Sequence, residues 1–406
     1  MKIHSTPRWS ALAVLLILLL FVIPASAAGT WVTENASSSN PEPIAADISG
    51  SHVVYSVAYG EAINHSTPRG LLLYDADTAT TTSLAYASGK MTLTGGQTAG
   101  DAVVWFEEAS ALISDPSEPV INNSVYLFSI STGTNTSIRS SPSAEWPKTD
   151  GIRVIWSETS EQTYLSTLSI YDIAAQTTET LPVHPQDGAS VMLDGDTIAF
   201  CDANTSALTL YDIPSQKKTV IYVPVHSNTT YTNVFDYVMA GDELLYKIRI
   251  VETSPKRAFT NALTWYSITE GTEVTLSPIT GQPVETLTED EQTATFDSLF
   301  TDGNTIGWVL EPGISKSALI TVNTETMNVS HLKIDGDVAF PSIDGRRATW
   351  VQSKMMADSH LVLATWHDPA DDETPTTTAP ETTSAPGFGV LCAAGALAVL
   401  SLGRKK

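Results

Sequence analysis

The 406-residue chain is poor in cysteine and in positive charge. It contains only two cysteines, so a framework of several disulfides is excluded and apolar packing must hold the fold. One of them, Cys201, lies in an apolar strand, where a buried small side chain is expected rather than a nucleophile. There are 21 Lys and Arg against 45 Asp and Glu, a formal net charge of −24. A negative field of this size argues against nucleic acid as a partner.

The sequence also lacks the common catalytic and ligand-binding motifs. It has no P-loop, GxGxxG, HExxH, GxSxG, CxxC or EF-hand spacing, and its eight histidines form no pair at metal-ligand spacing. Asp75-Ala76-Asp77 begins like a calcium loop, but the Gly and Glu that such a loop requires do not follow. We therefore predict no catalytic residue, no metal and no cofactor, with calcium as the remaining alternative.

What the chain has in abundance is a repeated strand motif. Seven glycines recur at spacings of 42 to 62 residues, each followed by an apolar residue at the third position and an aromatic residue at the fifth. Because side chains alternate along a strand, these two side chains face the same buried side. The glycines are Gly50, Gly100, Gly151, Gly195, Gly241, Gly303 and Gly345, and the aromatic residues are Tyr55, Trp105, Trp156, Phe200, Tyr246, Trp308 and Trp350.

A second apolar strand follows in each copy and, in most copies, ends at a turn-forming residue such as Asp75, Asp172 or Asp212. Each copy has the length of one four-stranded blade, so the sequence predicts an all-β fold: a seven-bladed β-propeller of four-stranded antiparallel blades over residues 28–368. The segment Trp31 to Glu34 is placed to supply the outer strand that the seventh blade lacks, which would close the ring and cover its edges.

The repeat resembles the TolB-like propeller repeat, in which a proline precedes Asp-Gly and an apolar-aromatic strand. Pro147 to Trp156 and Pro341 to Trp350 show the pattern best, and the likeness covers about residues 29 to 368. It implies the architecture alone, because this fold carries many unrelated functions.

Residues 1–27 are typical of a secretory signal peptide. Lys2 and Arg8 precede an apolar run from Ala11 to Ile23, and Ala25-Ser26-Ala27 has the small-residue pattern of a cleavage site. We predict an N-terminal signal helix that is removed on export. The alternative is an uncleaved membrane anchor, for which the apolar run is short.

The C-terminal residues form two segments of unlike composition. Residues 369–385 are acidic and rich in Thr and Pro, which predicts an extended stalk. Residues 386–406 begin with Pro386, Gly387 and Phe388, continue as a short apolar helix and end in basic residues. This order resembles the PGF-CTERM sorting signal of archaeal surface proteins. The resemblance implies an archaeosortase as partner, removal of the tail and attachment to a membrane lipid; a retained C-terminal membrane helix is the alternative.

The two ends of the predicted propeller differ. The glycine turns and the Asp turns lie on one face, and the other face carries longer loops, for example Ile248 to Asn261 and the acidic loop Ser277 to Thr295. Function is expected on the long-loop face, where an unidentified protein or glycan ligand would bind. The acidic loop, with Glu285, Glu289, Asp290 and Glu291, is either a solvated surface or a site for a cation or partner. Possible N-glycosylation sites stand at Asn35, Asn64, Asn122, Asn135, Asn204, Asn228 and Asn328.

These features together predict an extracellular cell-surface glycoprotein, anchored to the membrane at its C-terminus. We expect a non-catalytic propeller that serves as an S-layer or other envelope component, or as a binding or adhesion module. The alternative is an extracellular propeller enzyme acting on polysaccharide or peptide. Carboxylates or histidines converging at the channel mouth on the long-loop face would favour the enzyme, whereas a channel filled with apolar side chains, without such a cluster, would favour the scaffold.

Overall fold

The computed structural model describes residues 30–37, 41–59, 69–87, 91–109, 122–160, 162–253, 258–313, 316–354 and 357–367. The signal peptide, the stalk, the sorting segment with Pro386, Gly387 and Phe388, and the sequon at Asn64 lie outside these described residues. The predictions made for them, including both terminal helices and the domain boundaries, stay predictions.

The described residues form seven four-stranded antiparallel sheets, and the first strand of each sheet packs beside the first strands of its two neighbours. The sheets are therefore the blades of a closed ring, which confirms the predicted all-β seven-bladed propeller. Blades 1 to 4, each from the innermost strand outward, are β2 (Glu42–Ser49), β3 (His52–Ala58), β4 (Arg69–Asp75) and β5 (Thr80–Ala87); β6 (Met91–Ala99), β7 (Ala102–Ala109), β8 (Asn123–Ser129) and β9 (Thr134–Ser141); β10 (Ala144–Thr149), β11 (Arg153–Thr159), β12 (Ser166–Asp172) and β13 (Thr177–Leu181); β14 (Met192–Asp194), β15 (Thr197–Cys201), β16 (Leu208–Asp212) and β17 (Lys217–Tyr222).

Blades 5 to 7 continue the ring and bring the chain back to its beginning. They are β18 (Thr230–Ala240), β19 (Glu243–Glu252), β20 (Ala258–Ser267) and β21 (Thr272–Leu276); β22 (Phe296–Thr301), β23 (Thr305–Gly313), β24 (Lys316–Asn323) and β25 (Val329–Asp335); β26 (Asp337–Asp344), β27 (Arg347–Lys354), β28 (Ala357–His367) and β1 (Thr30–Asn35). The first strand of the chain thus forms the outer edge of the last blade, as predicted. Trp31 packs edge-on against Trp366 with ring centroids 5.3 Å apart, which adds aromatic contact to this closing strand.

The repeated aromatic side chains form the core between blades. All seven have 4% or less of their surface exposed, and the apolar residues three positions after the glycines have 5% or less. The predicted strand register is therefore confirmed. All seven turn glycines have a positive φ, between 49° and 91°, a region that other residues enter at a cost. At Gly151 an added Cβ would also lie 2.8 Å from the carbonyl oxygen of Ala99 in the preceding blade.

The residue before each turn glycine often bonds to the next blade, a role that turn chemistry alone does not predict. The Oγ of Ser49 accepts a hydrogen bond from Gly100 N at 3.0 Å, and an Oδ2 of Asp344 accepts one from Gly50 N at 2.6 Å. Each innermost strand is the edge of its sheet, so its N–H groups need partners from outside the sheet. These bonds join the blades on the tight-turn face, including the first blade to the last.

The prolines of the repeat also acquire a physical role. Pro147 and Pro341 lie in β-bulges of innermost strands, directly after Trp146 and Phe340, which have φ of 56° and 52°. A proline on an edge strand removes no ladder hydrogen bond and suits a bulge. Six of the seven innermost strands are bulged in this way, β14 being the exception.

The long-loop face is more regular than predicted. Blades 6 and 7 are joined by Gly336 alone, and most of the expected loop Ile248 to Asn261 is strand, because β19 continues to Glu252 and β20 begins at Ala258. The acidic loop Ser277 to Thr295 remains a loop, with one short helix, α1 (Glu289–Thr293). No helix in the described part of the chain is long and apolar enough to cross a membrane.

Candidate functional site

The strand β19 carries two cations at alternate positions, Lys247 and Arg249, in an otherwise apolar run. Alternation places both on the face of blade 5 that packs against blade 6, because Leu245, two residues before Lys247, belongs to the core shared by these blades. Asp236 of β18 lies directly opposite Lys247 in the ladder. Asp236 and Lys247 therefore share one face of the sheet between two blades, toward the long-loop face.

Lys247 is buried, with 4% of its surface exposed. Its Nζ donates a hydrogen bond to the carbonyl oxygen of Phe296 and lies 5.2 Å from the ring centroid of Phe235 and 4.7 Å from that of Phe296. Burial lowers the pKa of Lys247, and the charge of Asp297 acts in the opposite direction. The ammonium group is held by one carbonyl and two aromatic faces, with no carboxylate in direct contact among the described residues.

Asp236 is half-buried, and burial raises its pKa to about 6. Its Oδ2 accepts a hydrogen bond from Leu299 N at 3.3 Å, which opposes the shift. The negative charge of Asp297 raises the pKa further, and the positive charge of Lys247 lowers it. The carboxyl group thus changes its protonation state near neutral pH, as a proton-transfer group requires.

Asp297 differs from Asp236 in its surroundings. It is exposed on β22, and its Oδ1 accepts a hydrogen bond from Ser298 N at 2.9 Å. Ser298 begins a bulge and has φ of 53°, a strained value for a residue other than glycine. Two carboxyl groups, one desolvated and one in water, form the kind of pair that can divide the roles of acid and base.

Arg249 extends this group of charges away from the tight-turn face. Its Cζ lies 3.7 Å from the ring centroid of Phe235, the extra residue of a β-bulge in β18. Among the described residues Arg249 has no hydrogen bond and no ion pair, so its five N–H donors face solvent or a ligand. We refer to Asp236, Lys247, Arg249 and Asp297 as the charged cluster.

A second half-buried carboxylate, Asp47, is part of the ring itself. It accepts a hydrogen bond from Ser342 Oγ at 2.6 Å and one from Thr98 N at 2.9 Å, and so joins blades 7, 1 and 2. Burial raises the pKa of Asp47 and lowers that of Lys148, and each charge favours the other. Both oxygens of Asp47 are satisfied by neighbouring blades, which identifies it as a structural residue.

The acidic loop uses one of its four carboxylates for its own structure. Thr288 N donates to Glu291 Oε2 at 2.8 Å, and the Thr288 side chain caps the helix α1 in return. Hydrogen bonds from Ser277 and Thr288 hold the pKa of Glu291 below its ordinary value. Glu285, Glu289 and Asp290 are exposed. Within the described ranges, no three His, Cys, Asp or Glu side chains are grouped as metal ligands.

The other residues singled out in the sequence have structural surroundings. Asp75 bonds its own turn, accepting from Asp77 N at 3.0 Å and from Thr78 Oγ1 at 2.8 Å, so the calcium-loop resemblance is explained as a turn. Burial raises the pKa of Cys201 to about 11, so its thiol is an unreactive one.

Six of the seven glycosylation sequons can be located, and all six asparagines are exposed. Asn35, Asn122, Asn204 and Asn228 lie at strand ends or loops on the long-loop face, whereas Asn135 and Asn328 lie beside tight turns. Surface exposure is what glycosylation requires, and occupancy stays a prediction.

Sequence reasoning missed the charged cluster because it assigned residues 248–261 to a loop. The signal was present as Lys247 and Arg249 at alternate positions in the apolar run from Leu244 to Val251, in a chain with only 21 Lys and Arg. Asp236 carried no signal of its own, since it is one of 45 acidic residues.

No protein-family model matches the sequence, and no curated protein matches it. Solved structures match the fold. The propeller domain of the Trilobed protease from Pyrococcus furiosus is 10% identical with a TM-score of 0.55, over 80% of this chain and 94% of that one. An oligogalacturonate lyase from Vibrio parahaemolyticus is 11% identical with a TM-score of 0.51, over 84% and 98%.

An acylaminoacyl peptidase from Pyrococcus horikoshii is 8% identical with a TM-score of 0.53, over 81% of this chain and 52% of that one, so this chain spans about half its length. At these identities the likeness shows the fold alone. The expectation of a non-catalytic chain is nevertheless wrong, because the solved propellers that match this chain belong to peptidases and lyases. It rested on missing motifs, and the charged cluster is made of residues from several strands that no motif could have revealed.

Proposed function

We propose that the chain is an extracellular propeller enzyme that cleaves polysaccharide, with the charged cluster as its active site. The observation that carries this proposal is the half-buried carboxyl group of Asp236, whose pKa is raised to about 6 by burial beside the exposed Asp297. The enzyme alternative was expected to show carboxylates or histidines at the channel mouth of the long-loop face, whereas the charged cluster lies between blades 5 and 6 toward that face.

The chemistry divides between the two carboxyl groups. Protonated Asp236 donates its proton to the leaving glycosidic oxygen as the bond from the sugar carbon to that oxygen breaks. Ionised Asp297 takes a proton from the water molecule whose oxygen bonds to the sugar carbon. The charge of Asp297 favours the ammonium form of Lys247, which places a positive charge beside the two carboxyl groups.

Polysaccharide is favoured over peptide by the extent of the structural matches. The match extends over 52% of the Pyrococcus horikoshii peptidase and over 98% of the Vibrio parahaemolyticus lyase. The match to the lyase, which spans almost that whole chain, supports an active site held by the propeller itself. Cleavage of peptide is the second candidate, and it rests on the propeller likeness alone.

The decisive experiment measures the release of reducing ends from a panel of neutral and acidic polysaccharides by the purified full-length protein. We expect turnover of at least one polysaccharide, declining above about pH 6 as Asp236 ionises, and an Asp236→Asn variant that is slower by about 10²- to 10⁴-fold. Asp212→Asn, which changes an exposed turn carboxylate, is the control and keeps full activity.

Absence of turnover across the panel, or equal rates for Asp236→Asn and the unaltered protein, would refute the proposal. A product with a new carbon–carbon double bond, detected by its ultraviolet absorbance, would show that the reaction is elimination rather than hydrolysis. Asp236 would keep its role as the proton-transfer group.

We further propose that the enzyme works at the cell surface. The signal-like residues 1–27 support export, and the stalk with Pro386, Gly387 and Phe388 supports anchoring to a membrane lipid by an archaeosortase. Mass spectrometry of the native protein is expected to find an N-terminus near Ala28 and no peptide from residues 390–406. Recovery of an intact basic C-terminus would contradict the sorting step.

A further inference from the structure

Three polar side chains continue the face of blade 5 that carries Lys247. Asn233 of β18 and Asn261 of β20 are the direct ladder partners of Arg249 on β19. Direct partners lie on the same face of a sheet, and residues two apart along a strand share that face. We call Asn233, Arg249 and Asn261 the polar row. It lies beside Lys247, two residues further from the tight-turn face.

The guanidinium group of Arg249 is held by an aromatic ring. Its Cζ lies 3.7 Å from the ring centroid of Phe235, as in a stacked cation–π contact. Within the part of the chain that the structure describes, Arg249 makes no hydrogen bond and no ion pair. Phe235 therefore positions the guanidinium group without using its N–H donors, which are left for water or a ligand.

The two asparagines beside Arg249 have unused capacity as well. The Oδ1 atom of Asn233 and that of Asn261 are buried without a hydrogen-bond partner. Buried polar atoms of this kind are rare and call for an explanation. A hydroxyl group that reached either amide could be bonded without breaking a hydrogen bond of Oδ1. The polar row thus places two acceptors for hydroxyl groups on either side of a cationic donor.

The local charge of the polar row is opposite to the formal net charge of −24. Exposed charges are screened beyond about 10 Å at about 0.1 M salt, so the nearest groups dominate. Arg249 and Lys247 are close enough for the charge of Arg249 to contribute to the lowered pKa of Lys247. Two like charges on one face favour an anionic ligand, which would relieve their repulsion.

The carboxyl groups nearby leave room for such an anion at Arg249. Three of them act on Lys247, namely Asp236, Asp297 and Glu311. None of the three forms an ion pair with Arg249 among the residues that the structure describes. The guanidinium group therefore has no internal anion, and its fork of donors matches an oxyanion from outside.

We infer that the polar row recognises the acidic group of a sugar, and that the substrate of the charged cluster is therefore an acidic polysaccharide. The planar guanidinium group bonds two oxygens of a carboxylate or a sulfate ester at once, while Asn233 and Asn261 bond neighbouring hydroxyl groups. Arg249 lies about 7 Å along the strand from Lys247, the ladder partner of Asp236, so a sugar held there leads the next unit toward that carboxyl group.

This inference deepens the proposed function and rests on it for the role of the bound sugar, but binding can be measured without turnover. The test is calorimetry of the full-length protein with several polyuronates, each paired with its carboxyl-reduced form, and with a sulfated glucan paired with the unsulfated glucan. We expect an acidic chain to bind more tightly than its neutral counterpart by roughly ten- to a hundredfold, as hydrogen bonds between charged groups allow. Preference within the polyuronate pairs identifies a carboxylate, and preference within the glucan pair identifies a sulfate.

Two variants of Arg249 assign the preference to the polar row. Arg249→Met removes the charge and keeps an apolar stem over Phe235, so it should abolish most of the preference for the acidic chain. Arg249→Lys keeps the charge and loses the fork, so it should retain part of the preference. Lys217→Met is the matched control, because it removes one positive charge from the exposed outer strand of blade 4 and should bind like the unaltered protein.

Unchanged thermal unfolding shows that each variant is folded. Equal binding of the acidic and neutral members of every pair, or no binding to any acidic chain, would overturn the inference. An Arg249→Met variant with the same preference as Lys217→Met would overturn it as well.

The inference and the proposed function fail separately. Binding of an acidic chain that depends on Arg249, without turnover of any polysaccharide, would remove the proposed enzyme and keep the recognition site. Turnover of a neutral polysaccharide with the same kcat/KM as its acidic counterpart would keep the enzyme and remove the recognition site.

Discussion

Two aspartates of blade 5, at opposite ends of the same strand pair, show how differently the two faces of the propeller treat charge. Asp242, on the tight-turn face, accepts hydrogen bonds from Ser267 Oγ at 2.6 Å and Thr269 N at 2.5 Å, and despite partial burial these bonds hold its pKa below the ordinary value. Asp236, toward the long-loop face, has its pKa raised to about 6 by burial. The first carboxylate stabilises the fold, and the second is ionised at a cost to stability.

The difference between the two faces indicates where a functional site can be sought in a repeat fold. Every blade needs its tight turns and its bonds to the next blade, so carboxylates such as Asp242 and Asp344 accept hydrogen bonds there. Toward the long-loop end, within the residues that the structure describes, blade 5 carries a carboxyl group with a raised pKa, a buried lysine and the Arg249 guanidinium on one face. Sites that sacrifice stability are candidates for function.

The largest effect is expected from breaking the tight-turn face at a seam between blades. Gly151→Ala should lower the free energy of unfolding by about 2 to 3 kcal/mol, because the new Cβ meets the carbonyl oxygen of Ala99 at 2.8 Å and φ is 86°. Gly195→Ala, with φ of 49° and open space around the new Cβ, should cost about 1 kcal/mol. Urea unfolding measures both, and equal losses would show that the seam contact is unimportant.

A smaller effect is expected at Asp242. Asp242→Ala should destabilise the protein by about 1 kcal/mol, because Ser267 and Thr269 lose their acceptor. Its folded pKa lies below the unfolded value, so this contribution is full above the unfolded pKa and disappears as the pH falls through the folded pKa. Unfolding of the variant and the unaltered protein at several pH values tests this, and a loss that grows in acid would contradict it.

The smallest effects are shifts in the titration of Asp236, and their signs are opposite. Asp297→Asn removes a negative charge and should lower the pKa of Asp236, whereas Lys247→Met removes a positive charge and should raise it. The pH dependence of turnover, or infrared titration of the carboxyl group, reports the shift. A shift of the Asp236 pKa in the same direction in both variants would mean that burial alone controls this pKa.

The fold could be predicted from the sequence because the same strand motif recurs in every blade. Seven glycines with buried aromatics five residues later fixed the number and register of the blades, and Trp31 marked the closing strand. From the sequence, Ser49 and Asp344 could be recognised only as turn residues. Their hydrogen bonds to neighbouring blades could not be predicted, because the partners lie about 50 and 294 residues away in the chain. Such non-repeating contacts leave no local pattern.

The charged cluster left only a partial signal in the sequence, Lys247 and Arg249 at alternate positions, for a related reason. It exists because β19 runs past the point where the repeat would end, which places Arg249 beside Lys247 on a sheet face rather than in the expected loop. The raised pKa of Asp236 depends on its neighbours in blade 6, which lie some sixty residues further along the chain. The length of a strand and the burial of a carboxylate depend on tertiary contacts, so the composition of the sequence does not predict them.

The most direct test of this account compares the unfolding free energy of the unaltered protein with that of Asp236→Asn between pH 4 and pH 7. The raised pKa means that the folded protein binds the proton more tightly, so the unaltered protein should lose stability as the pH rises from about 4 to about 6. Asn keeps the acceptor for Leu299 N without the charge, so the variant should be about 1 to 2 kcal/mol more stable at pH 7 and inactive. A variant that is less stable at pH 7, or a stability difference that does not change with pH, would contradict the claim that this carboxyl group is kept for function.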